Sequence, residues 1–288
     1  MTPEQRLEYE ARVRTRQIVL AVAAGVLVMA AVLVQIGGPH VKVNEQTLGL
    51  VTENKRFTRD LAGSILSALG YFALAWTLGY LWGCVRSREP KVRPGFVGIL
   101  AVGGGVLSGI SVVAYILAYG SQAHHFVHTG NQTYPEANAL LTKPLLVIPQ
   151  ITNDFGLLLV AVGLVMVSLN AMRVGLLTRF MGYLGIIAGI LTIIPLVPIP
   201  IVEAYWLLAL GYLLSGRWPS GVPPAWTTGR VERWPSAQRQ RAAREPLLGR
   251  GRAGRAKPAP DPAPEAVGAP APGSTRSTTS KRKRKRRK

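Results

Sequence analysis

The sequence predicts an all-α membrane protein, a bundle of six transmembrane helices followed by a disordered basic C-terminal tail. Three observations predict it. Six long apolar stretches fill residues 18–214, separated by short polar loops. No Asp, Glu, Lys, Arg or His falls in the middle of any of them. The composition then changes abruptly: residues 217–288 carry 19 Lys and Arg against Glu232, Glu245, Asp261 and Glu265, so this segment holds +15 of the total +20. The chain as a whole is 48% hydrophobic and only 17% charged, low for a soluble protein.

Residues 1–17 read as a cytoplasmic N-terminal segment. The first helix, Ile18–Ile36 (IVLAVAAGVLVMAAVLVQI), is uncharged. At about 1.5 Å per residue it matches the ~30 Å hydrocarbon core of a bilayer. It is too long for the ~7–15-residue apolar core of a signal peptide, and GGPHVKV after it offers no small-x-small cleavage site. It therefore reads as an uncleaved anchor. The second helix, Leu61–Val85, contains Cys84, the only cysteine, which can form neither an intrachain disulfide nor a CxxC site. The third, Gly95–Tyr119, opens on GFVGILAVGGG, which lacks the GKS or GKT and the βαβ context of a phosphate loop.

The fourth helix is Phe155–Met172, the fifth Leu177–Leu196 and the sixth Val197–Leu214. Pro195, Pro198 and Pro200 separate the last two. Proline disrupts a helix interior but suits a turn and a helical first turn, so PLVPIP reads as a hairpin. The alternative is one kinked helix with a re-entrant end, which would put the tail on the opposite side. Small residues at near-helical spacing (Ala75, Gly79 and Gly83; Gly105 and Gly109; Gly182, Gly185 and Gly189) supply close-packing faces, for the bundle itself or for a homo-oligomer.

Lys and Arg collect on the cytoplasmic side of membranes. Arg6, Arg12, Arg14 and Arg16 precede the first helix, Arg86, Arg88, Lys91 and Arg93 follow the second, and Arg173 and Arg179 follow the fourth. The loop after the third helix has only Lys143. The exception is the loop after the first helix, with Lys42, Lys55, Arg56 and Arg59. The balance places both termini in the cytoplasm of a plasma-membrane protein.

Asp60, Asp154 and Glu203 stand at the starts of the second, fourth and sixth helices, on the outer side of this topology. They read either as helix caps, with Asn153–Asp154 after Thr152 and Asp60 after Thr58, or as an acidic outer vestibule for a cation. His124 and His128 share a helical face at metal-ligand spacing, but no cysteine or suitably spaced acid accompanies them. No helix centre offers an axial haem ligand or a proton relay. The sequence thus implies no metal, no cofactor and no catalytic residues, and the chain does not read as an enzyme.

Residues 215–247 read as a juxtamembrane segment in which Trp218, Trp226 and Trp234 lie along the headgroups and Ser236–Glu245 forms a short basic helix. Residues 248–288 read as a disordered Pro/Ala-rich linker ending in Lys281, Arg282, Lys283, Arg284, Lys285, Arg286, Arg287 and Lys288. Such a run attracts anionic lipid at about 1 kcal/mol per charge near the surface. Nucleic acid is the less suited partner, because no aromatic residue interleaves the charges.

The stretch SLNAMRVGLLTRFMGYLGIIAGIL at Ser168–Leu191, followed by EAYWLLALGYLLSGRWPSGVPPAW, resembles uncharacterised integral membrane proteins of actinobacteria. These are similar to a wider bacterial family of unknown function with about six helices. The resemblance implies a helical protein of a bacterial plasma membrane and carries no catalytic residues. The expected role is structural or interactive, with a basic tail on anionic headgroups. The competing expectation is a small carrier or channel with an acidic outer vestibule.

Overall fold

The computed structural model describes residues 2–36, 46–89, 95–194, 200–219 and 221–232. The expectations for Lys281–Lys288, for Trp234, for Ser236–Glu245 and for the PLVPIP turn at 195–199 fall outside the described residues. Those residues contain eight helices and no strand: α1 Pro3–Gln35, α2 Gln46–Arg88, α3 Phe96–His128, α4 Tyr134–Leu141, α5 Pro144–Val174, α6 Arg179–Ile193, α7 Ile201–Leu214 and α8 Ala225–Thr228.

The helices overrun the apolar stretches that announce them. α1 starts at Pro3 because a reciprocal capping box nucleates it there. Gln5 N–H donates to the Thr2 hydroxyl at 3.3 Å, and Thr2 N–H donates to the Gln5 side chain at 3.0 Å. α5 starts at Pro144, with proline in the first turn where its missing N–H is harmless. Once a turn is nucleated, each further residue adds a hydrogen bond at little cost, so helix continues through polar sequence outside the bilayer.

Four helices are long and apolar enough to cross a membrane: α1, α2, α3 and α5. The other two differ from expectation. α6 has 15 residues and α7 has 14. At 1.5 Å per residue they reach about 22 and 21 Å, short of the ~30 Å core.

Close contacts at glycines fix the register of the bundle. Gln35 and Val28 of α1 meet Gly63 and Gly70 of α2, and Ala75 and Trp82 of α2 meet Gly105 and Gly98 of α3. Gly104 of α3 meets Val160 of α5, and Ala101 of α3 meets Gly163 of α5. Gly182 and Gly189 of α6 meet Met172 and Ala161 of α5. α7 returns along α1, with Gly211 beside Val22 and Ala204 beside Gly25. Each neighbour in this series is antiparallel to the last, and α7 closes the ring on α1. α6 and α7 therefore run in opposite directions, the arrangement a hairpin gives. The small-residue faces of α3 and α6 are covered by the chain's own helices, whereas Gly83 and Gly103 meet nothing within 4 Å.

The outside of the ring is apolar. Val19, Leu33, Trp76, Ile99, Ile110 and Ile151 are all exposed, Trp76 by 64% and Ile99 by 71%. An exposed apolar belt around helices whose backbone bonds are satisfied internally is the surface that lipid requires.

The joint between α5 and α6 explains the sequence NAMRVGLLTRFMG. Gly175 ends α5 with φ +88°, and a side chain there would strike the Glu232 carbonyl. Leu176 N–H turns back to Ala171 O at 2.8 Å. Thr178 then caps α6, accepting from Met181 N–H at 3.2 Å.

Candidate functional site

The two ends of the bundle differ in charge. At one end stand Arg6, Arg12, Arg14, Arg16, Arg86, Arg88, Arg173, Arg179, Arg217 and Arg230, against Glu4, Glu8, Glu10, Glu89 and Glu232. At the other, Lys55, Arg56, Arg59 and Lys143 are balanced by Glu53, Asp60, Glu136 and Asp154, among the described residues. Several of these groups have specific local tasks. Arg56 donates to Gln35 O at 2.9 Å, and Arg59 donates to the carbonyls of Val34 and Ile36. They satisfy the orphan carbonyls that end α1 and oppose its dipole. This accounts for positive charge on the otherwise neutral end.

The arginine-rich end is closed by a buried ion pair. Arg88 holds Glu10 with two parallel bonds, Nη1 to Oε1 at 2.5 Å and Nη2 to Oε2 at 2.7 Å. Nη1 also donates to Cys84 O, and Nε and Nη2 donate to Ala225 O. All five guanidinium donors thus have acceptors. The guanidinium lies 5.3 Å from the centre of the Trp226 ring, on which Tyr80 stacks from α2. Trp226 Nε1 donates to Leu176 O at 2.8 Å. Arg6 donates to Gly229 O, and Arg14 donates to Leu214 O. The segment that follows α7 is therefore folded onto the start of α1 and the end of α2. Trp218 and Trp226 are partly buried and pack on the hydrophobic core. Cys84 is buried beneath this clamp.

The three carboxylates singled out by the sequence sit in three different surroundings. Asp60 and Asp154 do not cap helices, because α2 and α5 start many residues earlier and carry both as interior positions. Asp60 is half-buried and pairs with Arg56 one turn away at 3.7 Å. Glu53, one face-repeat earlier on α2 and ahead of its apolar run, is buried beside it. Burial, and then the neighbouring Asp60 charge, push the Glu53 carboxyl up to about 7, with Arg56 pulling the other way.

Asp154 is exposed on α5. It precedes Ala161 and Ser168 by one and two heptads, so all three share a face. Gly189 and Gly185 of α6 cover Ala161 and Ser168. α6 stops at Ile193, about a turn before it would cover Asp154.

Glu203 is the exception that the sequence misplaces. It lies in the first turn of α7, but α7 begins deep in the bundle. Its neighbour Ala204 abuts Gly25, near the middle of the apolar run of α1. Glu203 is 7% exposed, and its Oε1 is buried without a hydrogen-bond partner. An ionisable group is therefore buried beside the middle of the α1 apolar run, whereas the sequence reading puts it at the end of a segment.

His124 and His128 lie tilted to one another with ring centres 4.3 Å apart and are exposed. Among the described residues no group of three or more His, Cys, Asp and Glu is placed to hold a metal ion. Sequence reasoning used Arg88 only for topology and missed its pairing with Glu10, because residues 78 positions apart carry no local pairing signal. No protein family, curated protein or solved structure matches the chain.

Proposed function

We propose that this chain is a non-enzymatic protein of a bacterial plasma membrane whose basic cytoplasmic face and C-terminal tail engage anionic lipid headgroups. The observation that carries the reading is the charge asymmetry of the bundle. One end gathers ten arginines against five acids, and the opposite end is balanced. By the positive-inside tendency the arginine-rich end faces the cytoplasm. The N-terminal residues and the segment through Glu232 meet at that end, which supports putting these two segments on the cytoplasmic side. Six helices enter the bilayer, with α6 and α7 entering and leaving as a pair from the cytoplasmic side.

Reporters fused near His125 and at the C-terminus should then report opposite sides of the membrane. The same side for both would remove the paired reading of α6 and α7.

The lipid contact is tested with residues 233–288, the part beyond the segment folded onto the bundle. As a free peptide it should bind vesicles of anionic phospholipid, ignore neutral ones, and release as salt rises. Deleting 281–288 should abolish most of the binding. Equal binding to neutral vesicles would end the proposal, and far tighter binding to nucleic acid at the same salt would replace it.

One observation favours a second reading, a small carrier. It is the unpartnered Glu203 beside a pair of short helices, since broken helices at mid-depth are where carriers hold their cargo. Asp60, paired with Arg56, gives this reading no support as part of an outer vestibule.

A further inference from the structure

Glu203 occupies a place in the fold where a carboxylate has no ordinary reason to be. α7 runs antiparallel to α1, with Gly211 beside Val22 and Arg14 on the last carbonyl of α7 at the cytoplasmic end. Counting back two turns from Gly211 brings Ala204 to Gly25, at the centre of the Ile18–Ile36 run. Glu203 lies one residue further from the arginine end. It is more than nine-tenths buried, and its Oε1 has no donor.

Among the described residues, the elements around it supply no counter-charge. α1 has no ionisable residue between Arg16 and its C-terminus. α2 brings only the Tyr71 phenol near it, and a phenol at ordinary pH is neutral. The ionisable residues of α6 are Arg179 and Tyr183, both near its cytoplasmic start. A helix-terminal role does not account for the burial, because no backbone N–H of the first turn reaches the Oε1 atom. An isolated carboxylate in a low-dielectric interior is costly enough that it takes up a proton or a cation instead.

We propose that Glu203 is a proton-binding site in the membrane-embedded core of the bundle, held as a neutral carboxylic acid and exchanging its proton with water. The inference rests on burial and the missing partner, and it stands whether or not the protein carries a solute. It deepens the carrier reading by naming the coupling ion that such a carrier would use.

Dicyclohexylcarbodiimide tests it, because this apolar reagent enters membranes and needs a protonated carboxyl. The acid gives its proton to a carbodiimide nitrogen, the carboxylate oxygen adds to the central carbon, and an oxygen-to-nitrogen acyl shift yields a stable N-acylurea. The full-length protein in lipid vesicles should carry this adduct on Glu203, located by peptide mass spectrometry. Above the pH at which the site titrates, labelling should fall about tenfold per pH unit. Glu203→Gln should lose the adduct while keeping its melting temperature. If that variant fails to fold, difference infrared spectroscopy of the parent gives the same information, as a carboxylic C=O band that disappears with rising pH. Absence of the adduct from mildly acidic to mildly alkaline pH, an adduct confined to Asp154, or labelling independent of pH would overturn the proposal. Suppression by sodium at constant pH would overturn it in favour of a metal-cation site. A labelled protein that moves no proton in a flux assay would sink the carrier reading and leave the site intact.

Discussion

Arg88→Met should destabilise the bundle by about 3–5 kcal/mol, read as a large fall in the melting temperature in detergent. The figure is the usual cost of removing one partner from a buried ion pair. Three losses combine here. Glu10 keeps a carboxylate that is 5% exposed and has lost its charged donor. Ala225 O loses the donors that fix the segment after α7. Trp226 loses the cation above its ring. Glu10→Leu combined with Arg88→Met should recover part of the loss, because no buried charge is then left alone. It should not recover all of it, since Ala225 O stays without its donor. The less deeply buried pair, Arg56 with Asp60, supplies the contrast. Asp60→Asn should change stability by less than about 1 kcal/mol. Similar effects at both sites would show that the Glu10–Arg88 pair is not the clamp described here.

The membrane class and the helical fold were legible because apolar runs have a physical reason to be helical in lipid: every backbone group must be satisfied within the segment. What the runs do not reveal is where helix ends. Polar residues outside the bilayer can remain helical without any hydrophobic signature, as Pro3–Gln17 and Gln46–Asp60 do, and α5 likewise begins well ahead of Asp154, at Pro144. That is why Asp60 and Asp154 looked like caps and are interior positions. Glu203 was misplaced for the complementary reason. Its apolar run is long enough to suggest a full crossing with the acid at the surface. α6 and α7 are both short, however, and the depth of Glu203 is set by the contact of Ala204 with Gly25 across the ring. Depth is a tertiary property, and spacing along the chain does not contain it. Glu10 illustrates the same limit: the arginines around it suggested only topology, and its partner lies on another helix.

The glycines of α3 and α5 carry the other large expected effect. The sequence marks Gly79, Gly83, Gly105, Gly109, Gly182, Gly185 and Gly189, and all of these but Gly83 meet a neighbouring element closely. It passes over Gly163 and Gly156, whose spacing of seven falls outside the four-residue pattern. Yet a Cβ at Gly163 would lie 2.6 Å from Ala101 Cα and 2.8 Å from Ala101 N, which are backbone atoms. Gly104 is similar, at 2.6 Å from Val160 N. Side chains can rotate away from an intruding methyl, but a helix backbone can yield only by moving the whole helix. Gly163→Ala should therefore cost about 1–3 kcal/mol, the usual range for overpacking, and Gly163→Leu more. At Gly185 the Cβ would run into the Ser168 hydroxyl and come within 2.7 Å of Trp206 Nε1, so Gly185→Leu should also lower the melting temperature, in part by displacing the Trp206 bond to Met181 O. Gly83 and Gly103 meet nothing within 4 Å. Alanine there should be neutral or slightly stabilising, because it also raises helix propensity by roughly 0.8–1 kcal/mol. Thermal melts of these five variants in one detergent decide the matter. If Gly163→Ala melts with the parent while Gly83→Ala falls, the α3–α5 contact is not the tight face, and Gly83 is the buried one, against another copy of the chain.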